Sequence, residues 1–600
     1  MTLAEGASLG AHVESRGVRF RAWSDHAREV SVVIYAEPGR IALEIPLVPQ
    51  AEAGFFSSFV SDLPPGSLYD FRIDGQLAVD PYARALPYGV YGPAQVLVTL
   101  PPRNHPKRRI DFDRNEVFYE LHVGTFTPEG TFASALERLP YLSALGVTVV
   151  ELMPVATFAG GRGWGYDGVG LFAPFAGYGG PAELSAFVDA AHGHGLSVVL
   201  DVVYNHLGPA GNALPLFSRS YFDAQRTNPW GQAPALEKPA FRRLVLSNAA
   251  YWFNAIGIDG LRLDATQELE PGGDPHILHA MSQIARACEP PAVLIAEDNR
   301  NDPRTLLAHG IDAVWSDDFH HVMHVLLTHE REGYYRTFTG DLTELARVIE
   351  RGQLFEGQTM PGSAPPRGKS TEGVLASRFL FALQNHDQVG NRAQGERLQL
   401  LSSTAAFRAA TLLLSFLPAT PLLFMGQEWA ASSPFLYFSD HDGELGRAVS
   451  DGRRKEFGHF SGFQATVEAI PDPQEKSTFM RSKLDWSEAA VGEHQATLSL
   501  YRRALELRRT DPVLQVPTRT SVGVAHDCLW VLREGPRGRR LLLFNPGAAR
   551  SFSEIIGHSP ANTRTLLASE AWPESSGRFE LPASSAVLLA VIDRPGAGAS

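Results

Sequence analysis

Six hundred residues, 44% of them hydrophobic and 10% aromatic, exceed what one hydrophobic core serves and predict two to four globular domains. A formal net charge of -13, with acid and base mixed along the chain, excludes a basic stripe for nucleic acid and a polybasic membrane tract, so neither partner is expected. Cys288 and Cys528 are too far apart for metal spacing or a disulfide framework, and the start MTLAEGASLG lacks the basic and apolar regions of a signal peptide, so a reducing cytoplasm is the expected home.

From about residue 9 to 100 the segments VRFRAW, VSVVIY, IALEIPL, FFSSFV, YDFRIDG and AQVLVTL read as short strands separated by Gly, Pro and Asp, which predicts a small β-sandwich. The Pro-rich and basic stretch PPRNHPKRR at 101–109 carries no hydrophobic period and reads as a linker. Beyond it VFYELHV, VTVVELM, LSVVLDV, GLRLDA, AVLIAE, DAVWSD, SRFLFAL and TPLLFM alternate with amphipathic stretches such as LERLPYLSAL and LSAFVDAAHGHG, the pattern of a (β/α)₈ barrel. The most lipid-like stretch, Ala409 to Gly426, is interrupted by Ser415, Pro418 and Pro421 and divides into a helix and a strand, so no transmembrane span is expected. After the helical ATLSLYRRALELRRTDPVL, ending near 514, the strands CLWVLRE, RLLLFNP and AVLLAVI predict a second β-sandwich before a Gly/Ala tail. The expected organisation is a β-sandwich at 1–105, a catalytic (β/α)₈ barrel at 106–511 and a C-terminal β-sandwich at 512–600.

Within the barrel region, DVVYNH at 201–206, GIDGLRLDAT at 257–266, LIAEDN at 294–299 and LQNHDQVGN at 383–391 each run from apolar residues into carboxylate, histidine and arginine. Clustered buried carboxylates repel and desolvate at a cost, and the C-terminal strand ends of such a barrel converge on one mouth, so Asp201, Asp264, Glu297 and Asp387 read as an active site. Arg262, two residues before Asp264 on a strand, points to the same face and favours an ionised, nucleophilic carboxylate there. Glu297 follows the apolar run AVLIA, an environment that keeps a carboxyl protonated as a general acid requires. An acid and a nucleophile in opposed environments are the pair of a retaining glycoside hydrolase, with Asp387 supplying further negative charge or gripping sugar hydroxyls.

Other readings compete. Asp264 with Arg262 alone equally describes a buried ion pair, Asp201 and His206 suit capping of a strand-to-loop turn, and His386 suits a satisfied core histidine. Trp164 and Tyr166 in GWGYDGVG suit stacking on a pyranose face as well as loop packing. In WSDDFHHVMH at 315–324, Asp317, Asp318, His320 and His321 read either as a solvated helix start or, after the sixth strand, as substrate contacts. A barrel metallohydrolase using His206, Asp264, Glu297 and His386 is the mechanistically different alternative, made electrostatically poorer by Arg262. A non-catalytic glucan-binding protein on a decayed barrel is the third, opposed by the intact carboxylate trio.

Taken together, the four segments resemble, in order, the catalytic-region motifs of the α-amylase family of glycoside hydrolases. The resemblance implies a catalytic trio of Asp264 as nucleophile, Glu297 as acid/base and Asp387 as transition-state stabiliser, with Arg262, His206, His386 and Tyr166 lining the subsite of the attacked glucose. Leu263, Ala265, Thr266, Gln267, Phe319, Gln388, Val389, Gly390 and Asn391, flanking them in the motifs, join Trp164, Asp201, Asp317, Asp318, His320 and His321 as candidate substrate contacts. The N-terminal sandwich then resembles the immunoglobulin-like, carbohydrate-binding-type module of branching and debranching enzymes, which are the nearest alternatives in activity.

Within the family YELHVGTFTPEGTF at 119–132, GWGYDGV at 163–169, WSDDFHHVMHVLLTHEREGYY at 315–335 and DPYARALPYGVYGP at 80–93 look most like members that cleave the α-1,4 bond next to the terminal trehalose of a maltooligosyltrehalose. Gln267 and Glu268 stand where many α-amylases carry Lys-His, which weakens a simple endo-amylase reading. No phosphate-cradling or dinucleotide motif is present, so no cofactor is expected and water suffices as co-substrate. Some relatives hold calcium near the position of Asn205, but one ligand does not make an oxygen cage, so no metal is expected either; a monomer or weak oligomer is.

Overall fold

The computed structural model describes residues 9–359, 366–457, 470–515, 519–572 and 577–592; the first eight residues, on which the signal-peptide expectation bears, and the Gly/Ala tail lie outside them. Eight parallel strands close into a barrel in chain order: β1 Phe118–Leu121, β2 Val149–Leu152, β3 Ser197–Val202, β4 Gly260–Leu263, β5 Val293–Ala296, β6 Ala313–Trp315, β7 Phe379–Ala382 and β8 Thr420–Phe424, with β8 hydrogen-bonded back to β1. Every expected barrel strand forms. Residues of both parities are buried along β1 to β5, because helices cover the outside of a parallel barrel while side chains fill its inside.

Two helices at the mouth are α1 Asp317–Thr328 and α2 His386–Gly390, and two that brace the last strand are α3 Thr404–Phe416 and α4 Gly492–Thr510. The lipid-like stretch resolves into α3 and then β8, and among the described residues no helix is long and apolar enough to cross a membrane. Helix α4 stops at Thr510 rather than near 514, since Asp511 precedes Pro512 and is pushed into extended backbone.

At the N-terminal side two antiparallel sheets face each other as a sandwich, one of Gly10–Glu14, Gly17–Trp23, Phe55–Ser61 and Val48–Pro49, the other of Arg40–Pro46, Val30–Glu37, Leu68–Ile73 and Gln76–Ala78. In the expected strand AQVLVTL only Ala94–Gln95 pairs as a strand, beside Leu68–Ile73; the chain then leaves the sheet toward Pro101 and Pro102, which lack N–H donors. The sandwich docks through buried Arg243, whose guanidinium lies 5.2 Å from the Trp23 ring and 4.8 Å from Phe55, and through Ser218, which donates to Asp25 at 2.7 Å. Beyond the barrel a five-stranded antiparallel sheet, Arg519–Ala525, Cys528–Gly535, Gly538–Asn545, Ser585–Val591 and Thr563–Ala568 in spatial order, stands beside a pair formed by Arg550–Phe552 and Phe579–Leu581.

One buried arginine of α4 holds the end of the barrel. Arg508 donates to the carbonyls of Ser415 at 3.1 Å, Leu417 at 2.6 Å and Ala419 at 2.9 Å, the turn that carries α3 into β8. Arg508→Met leaves these carbonyls without their donor and is expected to lower stability by about 3 kcal/mol, read as a fall in Tm; an unchanged Tm contradicts this account of the turn.

Candidate active site

Asp201 is the last but one residue of β3 and lies in register beside Arg262 of β4, while Asp264 and Glu297 follow the last residues of β4 and β5. Adjacent strands therefore deliver these groups to one mouth. Arg262, fully buried, sits between them: Nη1 donates to Asp201 at 2.8 and 3.0 Å and to Asp264 Oδ1 at 3.0 Å, and Nη2 donates to Glu297 Oε2 at 2.8 Å. The Trp315 ring at the end of β6 lies 4.3 Å from the guanidinium, a cation–π contact that fixes its plane.

Asp264 accepts from Asn205 Nδ2 at 2.6 Å on the oxygen that Arg262 does not take, so both of its oxygens meet donors, the pattern an ionised carboxylate satisfies. The next residue, Ala265, adopts left-handed backbone at φ 41°, which aims its N–H at Glu297 Oε2 at 3.0 Å. Both donors to Glu297 thus fall on Oε2, leaving Oε1 to carry a proton. Burial first, then the charges of Asp264, Asp387 and Asp317, push the Glu297 pKa well above the usual carboxylate range despite the opposing pull of Arg262. The expected direction is found, but the surroundings are an ionic cluster rather than the purely apolar pocket read from AVLIA.

Asp387 stands in the first turn of α2, capped by Asn385, and its Oδ1 accepts from Asn391 Nδ2 at 3.1 Å. Its neighbour His386 is buried, with Nε2 2.7 Å from the Tyr166 hydroxyl, which itself donates to Asp201 at 2.5 Å. Burial lifts the Asp201 pKa to about 6 against the pull of Arg262. His206 contacts the Tyr166 carbonyl at 2.6 Å and Asn205 Oδ1, and burial lowers its pKa. Asp317 opens α1 half-buried, with its pKa raised to about 6 by burial and by Asp387. His321, also half-buried, packs against Tyr334 with ring centroids 4.9 Å apart. A cleft of about 250 Å³ runs along this mouth, lined among others by Trp164, Tyr166, His206, Trp230, Asp264, Asp387 and Asn391.

Several expected contacts turn elsewhere. Asp318 is buried and accepts from Asn301 and from the Leu354 backbone, both at 2.7 Å, so it anchors the loop after β6. Phe319 stacks on Phe381 of β7 in the core, at 4.3 Å. His320 is buried between the Leu383 carbonyl at 2.8 Å and the Tyr335 hydroxyl at 3.2 Å, and burial keeps it neutral. Leu263 and Val389 belong to the hydrophobic core, and buried Thr266 donates to the Glu297 carbonyl at 2.9 Å, which makes it a brace. Gln267 is half-buried with its Oε1 enclosed, and Gln388 accepts from the Tyr334 hydroxyl at 3.2 Å. Trp164 is no free stacking platform: its ring packs on Phe435 at 5.2 Å, its indole N–H donates to the Leu436 carbonyl, and a side chain at Gly390 would meet that ring at 2.1 Å.

Two residues escaped the sequence reading, Trp230 and Glu120, and Asn205 enters it only as a calcium position. Trp230, 43% exposed at the tip of a hairpin formed by Phe222–Asn228 and Gly231–Pro234, stacks on His206 at 3.8 Å and offers its other face to the cleft; the turn NPWG was its only signal. Asn205 donates Nδ2 to the Asp264 side chain at 2.6 Å and to its carbonyl at 2.9 Å, and among the described residues no three His, Cys, Asp or Glu side chains are grouped to hold a metal. Glu120 of β1, buried in the barrel, accepts from the His386 backbone at 2.9 Å and contacts its Nδ1 at 2.5 Å.

A closed (β/α)₈ barrel whose mouth carries Asp264, Glu297 and Asp387 around one buried arginine defines a catalytic domain of the α-amylase type, and residues 105–228 match the family Alpha amylase, catalytic domain, while 8–83 match Carbohydrate-binding module 48 (Isoamylase N-terminal domain). The malto-oligosyltrehalose trehalohydrolase of Deinococcus radiodurans is 45% identical over 92% of this chain and 92% of its own, and that of Rhizobium sp. (strain M-11) is 38% identical over 95% and 97%. A crystal structure of a putative alpha amylase from Salmonella typhimurium is 38% identical and superposes with a TM-score of 0.86 over 97% of this chain and 99% of that one. The chain belongs to the malto-oligosyltrehalose trehalohydrolase family.

The Arg262 cluster generates a pH-dependent prediction. Arg262→Met leaves buried Asp201 and the partly exposed Asp264 and Glu297 without their shared cation, costing about 3 to 5 kcal/mol when they are charged. The Asp201 pKa, already raised to about 6, rises further without the cation, so its protonated form stabilises the folded variant below that pKa and the benefit is lost as pH rises through it. The Tm deficit of Arg262→Met relative to the parent is therefore expected to be larger at pH 8 than at pH 5; equal deficits at both contradict the charge-sharing role.

Proposed function

We propose that this chain is a retaining glycoside hydrolase that cleaves the α-1,4-glucosidic bond adjacent to the terminal trehalose of a maltooligosyltrehalose, with Asp264, Glu297 and Asp387 as its catalytic residues. The observation that carries the chemistry is the single Arg262 guanidinium bonded to Asp264 through one amino group and to Glu297 through the other, which holds two carboxyls close together in opposed states. The near-full-length likeness to two relatives named malto-oligosyltrehalose trehalohydrolase supports the substrate.

In the first step Glu297 protonates the glycosidic oxygen from Oε1 while Asp264 attacks the anomeric carbon, forming a glycosyl ester and releasing trehalose. The electron pair of the broken C–O bond leaves with the trehalose oxygen, which takes the Glu297 proton. Water then enters, Glu297 removes its proton, and the ester is cleaved to return Asp264 as carboxylate and release the shortened maltooligosaccharide as the α-anomer. Asp387, 34% exposed at the mouth, faces the positive charge that develops on the sugar ring. Trp230 supplies the exposed ring for a pyranose face, with His206 stacked behind it.

Trehalose is bent and has no reducing end, so a pocket shaped to it makes its contacts only at that terminus of the substrate. Asp317, half-buried within reach of the Glu297 and Asp387 charges, and His321, half-buried one turn further along α1 against Tyr334, are the candidates for that pocket from the loop after β6. The enzyme works without nucleic acid or membrane partners, as a monomer or weak oligomer in the cytoplasm, a placement favoured by two unpaired cysteines.

Incubation with maltopentaosyltrehalose and, separately, with maltoheptaose tests the reading. Free trehalose from the first, little cleavage of the second and an initial α-anomer by proton NMR are expected, and Glu297→Gln is expected to lower kcat at least about 100-fold. Equal cleavage of both substrates without trehalose moves the activity to general α-glucan hydrolysis or transfer, and full activity of Glu297→Gln overturns the acid assignment.

A further inference from the structure

The floor of the site holds a hydrogen-bond chain that the catalytic carboxylates do not explain. Glu120 on β1 meets His386 twice, accepting its backbone N–H on Oε2 at 2.9 Å and facing Nδ1 with Oε1 at 2.5 Å. On the other side of the ring, Nε2 lies 2.7 Å from the Tyr166 oxygen. Tyr166 has one proton, and it is committed to Asp201, whose oxygens also take both contacts from Arg262 Nη1 and act as acceptors. The Tyr166 oxygen must therefore accept from Nε2–H, as Glu120 accepts from Nδ1–H. With Glu120 as a carboxylate, proton counting along the chain places a hydrogen on both ring nitrogens.

We infer that Glu120 is a positioning residue that holds His386 as a doubly protonated imidazolium beneath the attacked sugar, coupling the barrel interior to the Tyr166–Asp201–Arg262 chain. This rests on the hydrolytic reading of the site. The groups facing the ring agree with it. Glu120 and Asp387, 3.5 Å from Nε2, favour the cation, and Asp201 adds to them. Arg262 opposes it. His122, beyond β1, does not add a competing charge, because burial drives its pKa down to about 3. Glu151, paired with Glu120 in the β1–β2 register, has no hydrogen-bond partner for either oxygen and is kept neutral by burial, so it cannot replace Glu120 as counter-ion. Trp164 and Trp315 close the remaining sides, with ring centroids 5.7 and 6.0 Å from that of His386. Although burial alone would lower it, the net effect of these carboxylates lifts the His386 pKa to about 9.

The cation stands between the Glu120 and Asp387 carboxylates and keeps a donor on the Tyr166 oxygen, which leaves the Tyr166 O–H free to donate to Asp201. Loss of the ring proton reverses both effects, so the alkaline limb of activity belongs to His386 and its position to Glu120. The test is the pH dependence of trehalose release from maltopentaosyltrehalose by the full-length enzyme, Glu120→Gln and Glu120→Asp. Glu120→Gln keeps the shape and removes the charge; its alkaline limb is expected to move down by about one pH unit or more, while Glu120→Asp keeps the limb of the parent even if its plateau falls. A packing role lowers the plateau at every pH and leaves the limb in place, and that result overturns the inference.

A second measurement needs no variant at Glu120. In the 15N-histidine-labelled enzyme at pH 8, both His386 nitrogens, assigned by their disappearance in His386→Gln, are expected to carry protons; a neutral ring there also overturns it. Absence of trehalose release by the parent at all pH values refutes the substrate reading instead, and the ring measurement then decides the present inference alone.

Discussion

Everything at the mouth of this barrel depends on one guanidinium. Arg262 is wholly buried, yet it bonds to Asp201, Asp264 and Glu297, three carboxyls that would otherwise repel one another in a region shielded from water. Because its planar fork directs one amino group toward Asp201 and Asp264 and the other toward Glu297, the same cation serves groups that need different states of protonation. Asp264 has a donor on each oxygen, the pattern a carboxylate satisfies. Glu297 has both donors on one oxygen, and burial with three neighbouring acids keeps the other protonated.

The barrel exists to hold that arrangement in place. Arg262 and Asp201 are register partners on adjacent parallel strands, so their contact follows from the β-ladder itself rather than from loop conformation. Loops then supply what the ladder does not: the left-handed turn at Ala265, the Asn205 amide and the α2 turn that lifts Asp387 beside His386. The flanking parts bear on this geometry at a distance. Arg243 and Ser218 tie the N-terminal sandwich to the segment between β3 and β4, which also carries the Trp230 hairpin, while Arg508 clamps the approach to β8.

The barrel strands and the carboxylate-bearing segments were legible in the sequence because an apolar run ending in a charged residue is a local signal. Contacts made across the barrel have no such signal. Nothing in YELHV sets Glu120 apart as the partner of a histidine 266 positions later, and Trp230 sits in a polar hairpin whose approach to the cleft depends on tertiary placement. The converse failure has the same origin. Asp318, Phe319 and His320 follow one another on a helix start beside the site, but helical spacing turns successive residues to different faces, and these point into the core while Asp317 and His321 remain half-exposed. Trp164 was placed beside the cleft by its glycine-flanked loop; that Gly390 lets the ring pack down onto Phe435 is visible only in three dimensions.

The central claim, that Arg262 keeps Asp264 as a nucleophile beside a protonated Glu297, is tested most directly by trapping the covalent intermediate. A fluorinated maltosyl fluoride, whose activated leaving group needs little acid help and whose ring fluorine slows turnover, would be incubated with the intact enzyme and the digest examined by mass spectrometry. The account predicts a single glycosyl ester on the peptide carrying Asp264. An ester on Asp387 or Asp201, or turnover that inverts the anomeric configuration with no ester formed, would contradict it.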